Sequence, residues 1–317
     1  MNLEQQNTSD PHPAIEIRDL SKNFGDFTAV AGISFSVKAG ETYGLLGPNG
    51  AGKTTTMRML AGLSPASRGD IHVGGIDVVP DGRSVREIMG VVTQHDGLDN
   101  GLTVFQNLFL HGFLVGLSRK ESKERAHEVL DFFSLKERSK DNVYELSGGM
   151  KRRLAIVRSM MGSPSVIVMD EPTTGLDPQS RNRVWEELAI LKESGVTVLL
   201  STHYMEEAAI LCDRLAIMDH GLILDEGTPD EMVERHASGD VTQMRVQPAS
   251  LRAVRDYMEE RSIQYREVGA LVSVTGFNGV KADLSGVKDI EGVRVSTRPG
   301  NLEDVFLAIT GRELRDE

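Results

Sequence analysis

The chain has almost no cysteine, no long apolar run and no surplus of positive charge, and each shortage removes a class of protein. One cysteine in 317 residues, Cys212, cannot form an intrachain disulfide. A disulfide-stapled secreted framework is therefore excluded, and a reducing cytosolic setting is the simple expectation, with Cys212 a packing residue. No stretch of about 18 apolar residues occurs, so the chain should be soluble, or peripheral to a membrane through a partner. Lys and Arg total 35 against 47 Asp and Glu, a net charge of −12, which argues against a broad basic footprint and makes nucleic acid a poor partner. Residues 1–13 are polar and lack an apolar h-region, so they are expected to be a disordered N-terminus and not a signal peptide. The length leaves room for two domains of about 100–200 residues each.

What is present is organised around Gly47-Pro48-Asn49-Gly50-Ala51-Gly52-Lys53-Thr54-Thr55. This stretch fits G-x-x-x-x-G-K-S/T, a P-loop, with a buried strand before it at Thr42 to Leu46 and a helix after it from Thr54 to Ala61, stopped by Gly62. Small residues let backbone N–H groups converge on phosphates, with the positive end of the helix dipole behind them. Lys53 supplies a charge for the β- and γ-phosphates, and the Thr54 hydroxyl is a magnesium ligand. The chemistry implied is binding of a nucleoside triphosphate, ATP with Mg2+.

Around that loop, Ile15, Ile17 and Leu20 begin an alternating strand, and Ile33, Phe35 and Val37 a second, joined across a Gly25-Asp26 turn into an antiparallel layer. Phe24 stands before the turn, where its ring could stack on a nucleotide base or simply pack. Further strands read from Gly69 to Gly75 and from Gly90 to Thr93, the second delivering the Gln94 amide, which can reach a metal. From Thr103 the period becomes helical, with capping boxes at Thr103/Gln106 and Ser118/Glu121 and an apolar stripe Ala126, Val129, Leu130, Phe133. Leu146-Ser147-Gly148-Gly149 then opens another helix, whose N-terminal amides and Ser147 hydroxyl make a second anion site.

Leu146-Ser147-Gly148-Gly149 resembles the signature motif of the ATP-binding cassette (ABC) family, and it lies between P-loop and acidic strand in that family's order. The resemblance implies that Ser147, Gly148 and Gly149 serve the nucleotide of a second copy, so that two cassettes sandwich two ATP molecules. Met150 replaces the usual glutamine. Val166 to Met169 is an apolar strand suited to the middle of a parallel sheet, ending in Asp170 and Glu171. Asp170 is placed to hold magnesium through water. The resemblance makes Glu171 the group that activates water, Asp177 of Pro172 to Asp177 a dimer-interface residue, and His203, at the tip of the strand Val196 to Ser201, the histidine that contacts the γ-phosphate.

The implied fold class is α/β: a P-loop NTPase (RecA-like) core with an antiparallel β subdomain and a helical signature subdomain at about 98–163. The nucleotide-binding domain spans 14–235, and a small α+β domain follows at 240–317. The tail from Asn301 to Glu313 resembles ATPase subunits of type-2 ABC exporters, the group of daunorubicin-resistance and nodulation-factor export ATPases. An ATPase subunit at the cytoplasmic face of the cell membrane is thereby implied, homodimeric in ATP and driving a separate permease, which would select the cargo. The groove between the Gln94 loop and the helix from Thr103, with Leu98, Leu102 and Phe105, would receive a permease helix, unless those side chains serve the subdomain's own core. The alternative, a soluble ABC ATPase acting without a permease, would bring a long coiled-coil insertion or a second cassette, and neither is present. A non-hydrolysing regulatory module is disfavoured by intact Lys53, Asp170, Glu171 and His203.

Overall fold

A computed structural model describes residues 12–79, 81–263, 265–275 and 284–311. Two compact units divide between Glu226 and Gly227.

In the first unit, strands β1 (Ile15–Phe24) and β2 (Phe27–Val37) pair antiparallel, Ile17 opposite Phe35. They are followed by β3 (Thr42–Leu46), α1 (Lys53–Leu60), β4 (Arg68–Val73), β5 (Ile76–Asp77), α2 (Gly82–Ile88) and β6 (Met89–Val92). Next come α3 (Val104–Leu114), α4 (Arg119–Phe132) and α5 (Gly148–Ser159), then β7 (Val166–Asp170), α6 (Pro178–Glu193), β8 (Thr197–Thr202), α7 (Met205–Leu211), β9 (Arg214–Asp219) and β10 (Leu222–Gly227). One sheet has the order β2-β1-β4-β5, the other β10-β9-β3-β8-β7-β6. In the six-stranded sheet β3 runs parallel to β8 and β9, and β7 runs parallel to β6 and β8. Every residue of β3, β7 and β8 is buried, as parallel strands covered on both faces must be.

The two sheets share a core. Ile15, Ile17, Ile33 and Phe35 of the antiparallel sheet cluster with Val168 of β7, Leu199 of β8 and Met57 and Leu60 of α1. Phe35 stacks on Tyr43 of β3 with ring centroids 5.2 Å apart. Both expected capping boxes are present, at Thr103/Gln106 and at Ser118/Glu121, and fix where α3 and α4 begin. Cys212 is a buried free thiol, pushed up by burial; a side chain on Gly44 would collide with its Sγ. No described helix is long and apolar enough to cross a membrane.

The second unit holds α8 (Pro229–His236), β11 (Asp240–Val246), α9 (Leu251–Glu260), β12 (Arg266–Val268), β13 (Leu271–Thr275), β14 (Val293–Pro299) and α10 (Leu302–Thr310). Its antiparallel sheet has the order β12-β13-β11-β14 and packs Met244, Val246, Val272 and Val274 against Val254 and Met258 of α9. The sequence reading ends the first domain after α8, whereas here α8 packs on α10, within this unit. Met232 is the buried residue of α8. Asn301 caps α10, and Arg298 holds Asp304 of its first turn at 2.6 and 2.9 Å. Residues 1–11, expected to be disordered, and Arg312 and Glu313 of the tail lie outside the described residues.

Candidate functional site

Adjacent parallel strands bring their carboxyl ends to one edge, where open α/β sheets hold ligands. Leu46 stands in register with Thr202, and Asp170 with Ser201. The loop 47–52, the pair Asp170-Glu171 and His203 are therefore neighbours because β3, β8 and β7 are.

The loop leaves β3 under tight steric control. A Cβ on Gly47 would lie 2.1 Å from Met218 O, and one on Gly52, whose φ is 106°, 2.6 Å from Ala29 O. Gly52 is also the N-cap of α1, and no side chain caps that helix. The first amides of α1 thus keep their hydrogen-bonding capacity for a ligand, which suits a phosphate.

Lys53 is 4% exposed and donates from Nζ to Gly47 O at 2.7 Å and Pro48 O at 3.0 Å. Its Nζ also stands 3.6 Å from Glu171 Oε1. Burial pushes its pKa down, opposed by Glu171 and Asp170. Thr54 Oγ1 donates to Asp170 Oδ1 at 3.1 Å, and Ser201 Oγ donates to the same oxygen at 2.6 Å. The two hard oxygens of Thr54 and Asp170 fit a magnesium ion, which takes few protein ligands and keeps several waters. Among the described residues no larger metal-binding cluster occurs.

Glu171 has a φ of 47° and is buried. His203 Nδ1 lies 3.3 Å from its Oε1, and Thr174 Oγ1 donates to its Oε2 at 2.9 Å. Donation from His203, then the Lys53 charge and the Thr174 hydroxyl, hold the carboxyl down at about 2 against burial, which acts to raise it.

The other residues singled out above lie outside this cluster. Gln94 is exposed, and what is engaged is its carbonyl, at 3.5 Å from Arg152 Nη1. Phe24 is 55% exposed at the β1–β2 turn, with Lys22 Nζ 5.0 Å from its ring centroid. Ser147 caps α5, accepting from Met150 N at 3.3 Å, and lies exposed with Gly148. Gly149 is buried, with room only for hydrogen: a Cβ there would meet Ser180 Oγ at 2.3 Å. Asp177 caps α6 and accepts from Ser180 N and Oγ at 3.0 and 2.7 Å. Signature glycine and Asp177 cap thus share one neighbour.

Among the buried charges that the sequence does not single out, two stand beside this site. Arg152 donates into the carbonyls of Asp170, Glu171 and Pro172, and Glu207, fully buried, accepts from Thr173 Oγ1 at 2.7 Å and Trp185 Nε1 at 3.1 Å. Periodicity carried a signal for the first. Gly149, Arg152, Ile156 and Ser159 fall on one face of α5, and all four are buried.

Residues 30–174 match the family model described as ABC transporter. The Nod factor export ATP-binding protein I of Burkholderia lata is 43% identical over 308 residues, covering 96% of this chain and all of that protein. The linearmycin resistance ATP-binding protein LnrL of Bacillus subtilis is 39% identical over 310 residues, covering 95% of this chain and all of its own. Among solved structures, an ATP-binding subunit of an ABC transporter aligns with a TM-score of 0.62 at 31% identity, covering 70% of this chain and 92% of that one. A dimeric ATP-binding cassette in a post-hydrolysis state, bound to ADP and Pi, aligns at 0.61 with 26% identity, over 68% of this chain and 98% of its own.

Proposed function

Since the chain belongs to the ABC transporter family, we propose that it works as a homodimer in ATP at the cytoplasmic face of the membrane, driving a separate permease of an exporter. As a member of that family it binds ATP and hydrolyses it to ADP and phosphate. The observation that carries the reading is the convergence of Lys53, Thr54, Asp170, Glu171 and His203 at the carboxyl ends of three neighbouring strands. The names of the two full-length relatives, one for export and one for resistance, support outward transport.

In this reading the loop Gly47 to Thr55 cradles the phosphates, and Lys53 turns from Gly47 O and Pro48 O to the β- and γ-oxygens. Phe24 stacks on the base. Thr54 and Asp170, with the Gln94 amide brought in, would hold Mg2+, which would supply charge neutralisation to the triphosphate. The Glu171 carboxylate takes a proton from the attacking water, whose oxygen bonds to the γ-phosphorus as the bond to the β–γ bridging oxygen breaks. His203 positions the γ-phosphate. Ser147, Gly148 and Gly149 serve the partner copy's nucleotide, and Asp177 lies at the interface between copies.

The test separates binding from chemistry. Glu171→Gln should retain ATP and accumulate as a dimer in ATP and a monomer in ADP, measured by size exclusion with light scattering at several protein concentrations. Adding Ser147→Arg should dissolve that dimer while each chain still binds nucleotide. A Glu171→Gln protein monomeric in ATP, alone and with its permease, would overturn the shared-site arrangement.

A further inference from the structure

Helix α5 turns one charged side chain inward, and it reaches two loops far apart in sequence. Arg152 Nε donates to Pro172 O at 2.7 Å, and its Nη2 donates to Asp170 O at 2.8 Å and Glu171 O at 3.0 Å. Its Nη1 donates to Thr93 O at 2.6 Å, to Asp96 Oδ1 at 3.3 Å and, at 3.5 Å, to Gln94 O. A guanidinium carries five N–H donors in one rigid plane. With six acceptors around it the plane is pinned from both sides. The pinning falls on backbone that needs it, because Glu171 is a non-glycine residue in left-handed conformation, which persists only where its surroundings over-determine it. Arg158, further along α5, donates to Asp96 O at 2.7 Å and to Gly97 O, so the same loop is fastened to the helix twice.

We propose that Arg152 is a positioning residue for ATP hydrolysis: it sets the aim of Glu171 and makes that aim depend on where α5 sits. The inference rests on the shared-site reading above. There, Ser147 and Gly148 at the head of α5 serve the partner copy's nucleotide. Occupation of that signature is then felt at the same chain's own Glu171 through one stiff helix and one side chain. Lysine cannot replace it, since an ammonium offers three donors at a single point and cannot span the carbonyls of residues 170–172 and 93–94 together.

The experiment uses the full-length protein as Arg152→Lys and Arg152→Gly, the latter with and without added methylguanidinium. ATP and ADP affinities should stay within about twofold of the parent while kcat falls on the order of 10²-fold in both variants, the loss that a misaimed group produces. Cooperativity of turnover in ATP should be lost, and methylguanidinium should restore kcat and cooperativity to the glycine variant but not to the lysine variant. Nucleotide affinity and thermal midpoint falling in step with kcat would mark Arg152 as merely structural and overturn the inference. If Arg152→Gly does not fold, Arg152→Lys decides: lost kcat at retained affinity supports the inference, and parental kcat with parental cooperativity refutes it. A parent without ATPase activity overturns both readings, whereas variants as active as an active parent overturn this one alone.

Discussion

In the proposed mechanism Glu171 accepts a proton, yet its neighbours hold it ionised at about 2, below its ordinary 4.5. A carboxylate that acidic is a weak base at neutral pH. The groups that depress it, His203 and Lys53, are the ones that a γ-phosphate would recruit. As they turn to the substrate, Glu171 loses its hydrogen-bond donor and its nearest cation, and its pKa rises toward the usual range. The acid limb of kcat, which reports the bound complex, should therefore lie at higher pH than the acid limb of kcat/KM, which reports the free protein. Coincident limbs would rule this coupling out. For folding the sign is that of a depressed acid: the stabilisation from Glu171 is complete above pH about 4.5 and lost as pH falls toward 2. That Lys53, Asp170, Glu171 and His203 would meet was legible because each closes or follows a short β-rich run beside the phosphate loop. For Arg152 the helical spacing marked burial but not its partners, and Glu207 was not legible at all, since what they bind are carbonyls, a carboxylate, a hydroxyl and an indole contributed by distant segments.

At the scale of the element, α5 is defined by what its first turn touches. Gly149 lies against Ser180 of α6, while a Cβ on Gly148 would stand in open space. Gly149→Ala should lower stability by roughly 1–3 kcal/mol, as overpacking does, because α6's first turn must yield or Ser180 must leave Asp177. Gly148→Ala, with its gain in helix propensity, should be neutral or stabilising by up to about 1 kcal/mol. Urea unfolding of both variants checks the order, and Ser180→Gly in the Gly149→Ala background should recover most of the loss; equal effects at the two glycines would exclude the contact. A second consequence concerns Glu187 of α6, which burial raises to about 7 although Arg153 Nε lies 2.5 Å away. A raised acid stabilises below its unfolded value and loses that contribution as pH climbs through its folded one, here between about 4.5 and 7. Melting temperatures across that interval should fall less for Glu187→Gln than for the parent. Apolar runs such as β7 and β8 were placed from sequence almost to the residue. α6 begins at Pro178 because Asp177 caps it and proline suits its first position. α2 went unforeseen, since only Val85 of its seven residues is buried and no stripe marks it; α7 is also only seven residues long.

On the whole molecule, an apolar strip runs along α3. Phe105 stacks on Phe109, with ring centroids 5.9 Å apart, and lies 4.9 Å from the His127 ring; Phe109 meets Phe113 edge-on at 4.9 Å. Leu98, Leu102 and Phe105, the side chains that the sequence pointed to for a partner, are half-buried, whereas Leu110, Phe113 and Leu114 are exposed, Leu114 by 82%. Sequence could place the strip on one helix but not divide it between the subdomain's core and its surface, because that division depends on α4. The division makes the test discriminating. Phe105→Glu would insert a charge between stacked rings and should lower the melting temperature together with ATPase activity. Phe113→Glu and Leu114→Glu alter exposed positions, where substitutions shift stability by within about 0.5 kcal/mol, so the purified chain should melt and hydrolyse ATP as the parent does. If a permease helix docks on this end of α3, the same two variants should lose copurification with membranes and transport, because burying an unpaired carboxylate at an apolar contact is strongly unfavourable. Copurification and transport retained in both would move the permease contact to another face of the cassette.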